Sequence, residues 1–414
     1  MAPSLFNIAA VVITLAALFG YINHRWLRLP QTIGLVVIAL LASLSVIAID
    51  ALFPAANFQR TVRSLLGRID FHEALMKGML GFLLFAGALH VDLGEILRRK
   101  WAITSMATVG VLISTFLIGA ATYLAARGLG VDIPLAYCLV FGALISPTDP
   151  VAVLGILKTV KVPDSLKAMI AGESLFNDGV GVVVFTLLAA VAAGGEVITA
   201  GDIAALFVSE AIGGAALGLA LGWIAYQAMK SIDEHNLEVL ITLALVMTAY
   251  AVAFAIHVSG LIAVVVAGLL IGNHGTRFAM SDNTRDHVQK FWSLIDEVLN
   301  AVLFLIIGFE VIALSLSEET ALLMAISVPV VLAARFVSVS IPLTALRRRY
   351  TFARGAIPVL TWGGLRGGIS VALALSLPNI PAKSTILAIT YGVVIFSIIV
   401  QGLTVERVVR SRTE

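Results

Sequence analysis

The chain has 414 residues, of which 60% are hydrophobic and only 13% charged, with a mean hydropathy of +1.03. A soluble domain carries about 25% charged residues, so a large soluble enzyme is excluded, because it could not cover its own surface. The single cysteine, Cys138, excludes a disulfide scaffold, and the net charge of +2 excludes a basic nucleic-acid-binding surface.

What remains is an all-α polytopic membrane protein with little mass outside the bilayer. A bilayer core takes about 20 apolar residues per helix. On that scale thirteen runs follow in chain order, near 4–21, 33–50, 74–91, 102–126, 134–157, 168–193, 203–229, 237–256, 260–272, 292–314, 320–345, 355–377 and 384–405. They are continuous and rich in Leu, Ala, Val and Gly, without the alternation of a transmembrane barrel. The first run has no basic segment before it and no small-residue cleavage site, so it reads as a retained span. Cys138 sits within an apolar run and reads as a small core residue. The stretch 51–73 is the longest outer loop, and 273–290 reads as an interfacial segment.

Most of the 27 basic residues fall in one set of alternate loops, among them Arg25, Arg28, Arg98, Arg99, Lys100, Lys158, Lys161, Arg347, Arg348, Arg349 and Arg407. The opposite loops hold Arg60, Arg63, Arg68, Arg127 and Lys383. The positive-inside rule then places the N-terminus outside and the C-terminus in the cytoplasm. The same alternation supports an odd number of spans.

Ionisable side chains at mid-bilayer cost roughly 2.5–3.5 kcal/mol on insertion scales, which makes those deep in a span functional candidates. The fifth run carries Ser146-Pro147-Thr148-Asp149-Pro150. Two prolines three residues apart remove amide donors and break the helix, which membrane depth tolerates only beside a cavity or inside protein. The sixth run carries Gly172-Glu173-Ser174-Leu175-Phe176-Asn177-Asp178-Gly179. Helical spacing puts Ser174 and Asp178 on one face, facing a site, and Glu173 and Asn177 on the adjoining face, in support. The twelfth run carries Arg366 among four glycines, Gly363, Gly364, Gly367 and Gly368, which weaken the helix at mid-span. Arg335, alone in the eleventh run, needs an internal carboxylate, for which Glu173 is the natural candidate. Lys77 reads as a residue that reaches its span's outer end. His72, His90 and His257 read as interfacial, and Asp296, Glu297 and Glu310 receive no role.

The fifth and twelfth runs are both interrupted and lie seven positions apart. They therefore cross the membrane in opposite directions, and spans one to six and eight to thirteen read as an inverted repeat. Interrupted helices at matching places in such halves point to a transporter's mid-membrane site.

These residues resemble the monovalent cation/proton antiporters of the NhaP type, relatives of the animal sodium/proton exchangers. The resemblance is carried by SPTDPVAV at 146–153, GESLFNDGVGVVVF at 172–185, Arg335 and GGLRGGISVALALSLP at 363–378, and it spans most of the chain. It implies a core domain of spans four to six and eleven to thirteen, about 102–193 and 320–405. A dimerisation domain of spans one to three and eight to ten would cover about 4–91 and 237–314, with 203–229 as a connecting helix and a homodimer as the assembly. It implies cation binding by Asp149, Ser174, Asp178 and the backbone of Thr148. Glu173 and Arg335 match the family's buried ion pair, and Asn177 before the key aspartate matches its electroneutral branch. The chain ends soon after the thirteenth span, so the regulatory tail of the animal exchangers is not expected.

The chemistry agrees with that resemblance. A hard monovalent cation wants oxygen ligands, which carboxylates, a hydroxyl and freed carbonyls supply. A carboxylate holds a proton or a sodium ion but not both well, so competition at Asp178 couples the two fluxes. The expectation is secondary active, electroneutral exchange of Na+ or Li+ for H+ across a plasma or inner membrane. No cofactor is called for beyond the transported ions, and the chain is not an enzyme. The alternative is a passive monovalent cation channel. An intramembrane aspartyl protease is less favoured, because it would need a GxGD-type helix where this chain has NDGVG.

Overall fold

A computed structural model describes residues 5–53, 73–150, 153, 155, 162–194, 200–314 and 317–413. The loop residues Arg60, Arg63, Arg68, His72, Lys158 and Lys161 lie outside the described residues, as does the side chain of Lys77. Every regular element among the described residues is helical. They run α1 (Leu5–Ile22), α2 (Gln31–Leu52), α3 (Leu80–Leu89), α4 (Lys100–Gly128), α5 (Leu135–Ile145), α6 (Asp164–Ala192), α7 (Ala200–Lys230) and α8 (His235–Ala255). After these come α9 (Gly260–Leu270), α10 (Asp282–Glu310), α11 (Glu318–Ala345), α12 (Ala356–Trp362), α13 (Gly368–Leu375) and α14 (Lys383–Phe396). Among the described residues, ten helices are long and apolar enough to cross a membrane. In the run at 74–91 helical backbone at Ala74–Met79 leads straight into α3; the run at 134–157 holds α5 and then the stretch 146–150, beyond which most residues lie outside the described ones; and the run at 355–377 holds the pair α12 and α13.

Local chemistry sets the boundaries. Pro30, Pro134 and Pro163 immediately precede α2, α5 and α6, where a missing amide costs nothing. Ser259, Ser281 and Ser317 cap α9, α10 and α11 by accepting from the backbone N–H of Ile262, Thr284 and Thr320, each such cap being worth about 1 kcal/mol.

The segment 273–290 is largely helical. Helical backbone continues from α9 through Ile271–Gly275 to Phe278. The next helix starts at Asp282, so 282–290 forms the first turns of α10. The Ser281 cap starts it, and the ion pairs Arg285–Asp282 and Lys290–Asp286 lie along its exposed face.

Two sets of helices pack among themselves. In one, α4 lies against α5 and α11, α5 against α6, α11 against α12 and α14, and α13 against α14. In the other, α2 and α3 lie against α10, α9 against α3, α7 and α8, and α8 against α10. In lipid such contacts rest on close approach rather than on apolar transfer. Gly142 shows it: a Cβ there would stand 2.2 Å from the Thr115 carbonyl oxygen of α4. Outward faces carry large apolar side chains such as Phe116, Leu240, Met247 and Phe336, as a lipid-facing surface requires.

Candidate functional site

The site forms where two helices break. α5 stops at Ile145, and 146–150 runs without helix because Pro147 and Pro150 have no amide hydrogen to donate. Opposite it, 363–367 separates α12 from α13. The two broken stretches bond to each other. Asp149 N–H donates to the Leu365 carbonyl at 2.8 Å. The Arg366 guanidinium donates to the Ser146 carbonyl and, at 2.9 Å, to that of Pro147. A cation built into the chain thus takes up two carbonyls that the proline break set free. Arg366 is only 2% exposed. The Asp149 carboxylate lies so close to Gly367 that a Cβ there would fall 2.2 Å from Asp149 Oδ2.

Ser397 and Gln401 in the last span hold the second break in place. Arg366 N–H donates to Ser397 Oγ at 2.9 Å, Ser397 Oγ to Gln401 Oε1 at 2.7 Å, and Gln401 Nε2 to the Trp362 carbonyl at 2.9 Å. Neither residue stands out in the sequence reading. The available signal was their spacing: two polar side chains four apart in an apolar helix.

The continuous helix α6 passes beside this crossing, and its polar residues separate by direction. Glu173, 1% exposed, turns to α11 and forms a two-pronged pair with Arg335. The Arg335 Nη2 also donates to the Leu360 carbonyl at 3.0 Å, which ties the pair to α12. Ser174 and Asn177 turn to Thr148: the hydroxyls of Ser174 and Thr148 lie 2.9 Å apart, and Asn177 Nδ2 donates to Thr148 Oγ1 at 2.8 Å. Thr148 N–H in turn donates to Asn177 Oδ1 at 3.3 Å. Asn177 therefore shares its partner with Ser174 and not with Glu173, although spacing alone paired it with Glu173. Asp178 is 3% exposed, and its Oδ1 has no hydrogen-bond partner. Asp149 is its charged neighbour.

A cavity of about 880 Å³ reaches Thr148, Asp149 and Asp178. Its wall also includes His90, Asp92, Glu95, Asp296, Glu297 and Asn300. Two of these acids, Asp296 and Glu297, carry no functional signal in the sequence. Asp296 accepts from Asn300 Nδ2 at 3.0 Å, and Glu297 lies beside it on α10. His90, at the end of α3, bridges to α10: its Nδ1 lies 2.7 Å from the Ala86 carbonyl and its Nε2 3.2 Å from Ser293 Oγ. The sequence held no signal for these, because an acid one turn inside a span and one facing a cavity look alike in a linear string.

Crossed helix breaks beside a buried carboxylate, inside a bundle of membrane-spanning helices, define a multi-pass ion transporter. The model of the transmembrane sodium/hydrogen exchangers matches residues 13–411, and the chain belongs to that family. It is similar to the Na+/H+ antiporter NhaP of Pseudomonas aeruginosa, 48% identical over 98% of this chain and 96% of the relative. It is also similar to the Na+/H+ antiporter NhaH of Halobacillus dabanensis, 34% identical over 93% of each. Its fold matches the solved structure of a sodium proton antiporter from Methanocaldococcus jannaschii, with a TM-score of 0.75, 19% identity, and 98% and 97% of the two chains covered. The channel and protease readings find no support among these proteins.

Proposed function

We propose that this protein is a secondary antiporter that exchanges Na+ or Li+ for H+ one for one, with Asp178 as the group for which the two ions compete. The observation that carries this reading is the environment of Asp178: a buried carboxylate oxygen with no protein partner at the end of a cavity. Such a group gains most from an ion that supplies what the protein withholds. Asp149, the Ser174 hydroxyl and the backbone of Thr148 complete an oxygen-only ligand set, which suits a hard monovalent cation. Asn177 and Ser174 orient Thr148, and Arg366 holds the first break while adding positive charge at the crossing. Glu173 and Arg335 serve as a structural clamp between α6, α11 and α12.

Asp178 passes from protonated to cation-bound without changing the charge of the loaded site, and Asn177 cannot titrate. The exchange is therefore electroneutral. In this reading α4–α6 and α11–α14 form the moving core, and α1–α3 with α8–α10 form the dimerisation domain of a homodimer. The N-terminus lies outside and the C-terminus in the cytoplasm of a plasma or inner membrane, as the loop charges favour. The acid-lined cavity then opens to the cytoplasm, so the conformation is inward-facing. Its acidic wall concentrates cations at the mouth.

The test is transport by the purified protein in proteoliposomes carrying an internal pH dye, challenged with Na+, Li+, K+ and choline. Proton movement driven by Na+ or Li+ and absent with choline is the expected result. Cation flux with no accompanying proton movement would overturn the reading.

A further inference from the structure

Between Glu319 and Glu406 the chain carries no acidic residue, yet it carries Arg335, Arg347, Arg348, Arg349, Arg354, Arg366 and Lys383. Three of these seven are engaged inside the protein. Arg335 binds Glu173, Arg366 binds the carbonyls of Ser146 and Pro147, and Lys383 Nζ donates to the Leu377 carbonyl at 2.5 Å. The other four crowd the turn between α11 and α12. All four are exposed, and among the described residues none reaches a carboxylate.

The turn borders a second, open pocket of about 450 Å³. Its lining is divided by chemistry: Arg347, Arg354, Tyr350 and Thr351 supply donors, whereas Phe352, Ile357 and Pro358 supply apolar surface. Leu343, also in its wall, lies in the last turns of the membrane-spanning α11, so the pocket sits where the apolar zone meets water. A second basic stretch joins it. Arg349 stacks over the Trp101 ring at 5.4 Å, and Lys100 lies over the same ring at 5.8 Å. Trp101 is 48% exposed, and an amphipathic ring of that kind favours the headgroup level.

We propose that this pocket binds the headgroup of an anionic glycerophospholipid. The phosphodiester would meet the guanidinium forks of Arg347 and Arg354, and the first acyl carbons would lie along Phe352 and Ile357. Charge complementarity selects an anion, and the half-apolar lining at the span end selects a lipid over a free ion. Because α11 also carries Arg335, a lipid seated here grips the helix that clamps Glu173.

The test is thermal unfolding of the full-length protein in a nonionic detergent, titrated with phosphatidylglycerol or with phosphatidylcholine of the same chains. Phosphatidylglycerol should raise the unfolding midpoint and phosphatidylcholine should not. In the Arg347→Gln/Arg354→Gln variant the apparent phosphatidylglycerol affinity should weaken about tenfold or more. Arg25→Gln/Arg277→Gln removes the same charge from exposed sites elsewhere and should keep the full response. If the double variant unfolds too readily to titrate, Arg354→Gln alone should show a partial loss, and lipid counting by native mass spectrometry replaces the melt. An equal loss in both double variants would reduce the site to general surface charge. A matching shift with inorganic phosphate alone would make it a soluble-anion site. Indifference of the parent protein to phosphatidylglycerol would end the proposal.

Discussion

Glu173 and Asp178 stand five residues apart on α6, equally buried, yet their surroundings are opposite. Both Glu173 oxygens accept from Arg335, which is itself anchored to the Leu360 carbonyl. Asp178 faces a cavity and has an oxygen that no protein group reaches. Burial by itself therefore does not set the two carboxylates apart. What distinguishes them is whether the protein itself completes the hydrogen bonding. A satisfied charge resists exchange, and an unsatisfied one is held ready for an ion from outside.

The largest effect should come from Asp178→Asn. It removes the exchangeable proton and the charge while keeping the shape, and Na+-driven proton movement in proteoliposomes should fall to background with the protein still folded. Comparable exchange by a well-folded variant would erase the contrast between the two carboxylates.

Glu173→Ala and Arg335→Ala should act on stability. Removing one partner leaves a buried charge uncompensated, at a cost of about 3–5 kcal/mol, read as a lower unfolding midpoint in detergent. The double variant should be more stable than the sum of the two single losses, since the pair is coupled. If the single variants were as stable as the parent but poor in Na+ affinity, Glu173 would belong to the ion site.

Asn177→Ala tests the boundary between the two roles. It strips two bonds from Thr148, a loss on the order of 1–3 kcal/mol if the groups stay buried and unpaired. The expected outcome is a higher apparent KM for Na+ together with a modest loss of stability. A change in stability alone would place Asn177 with the clamp.

The smallest expected effect is a null one. A potassium diffusion potential set with valinomycin should leave the Na+/H+ equilibrium unmoved, although a single net charge crossing 100 mV would be worth about 2.3 kcal/mol. A shift would show that Asp149 carries a second proton.

Much of this arrangement is legible in the string. Continuous apolar runs can only be helices in lipid, because every backbone polar group must be paired within its own segment. Pro147, Pro150 and the glycines around Arg366 announce the breaks through backbone chemistry alone, and an arginine amid apolar residues announces a buried partner. Tertiary structure decided the rest. Only the crossing shows that Arg366 binds the carbonyls of Ser146 and Pro147, that Asn177 shares Thr148 with Ser174, and that Ser397 and Gln401 brace the second break. Only the cavity gathers His90 from the end of α3 with Asp296 and Glu297 of α10 around the approach to Asp178. The physical reason is that hydrophobicity and backbone propensity are local properties carried by each residue. Which of two buried carboxylates keeps an unpaired oxygen depends on groups brought from more than a hundred positions away.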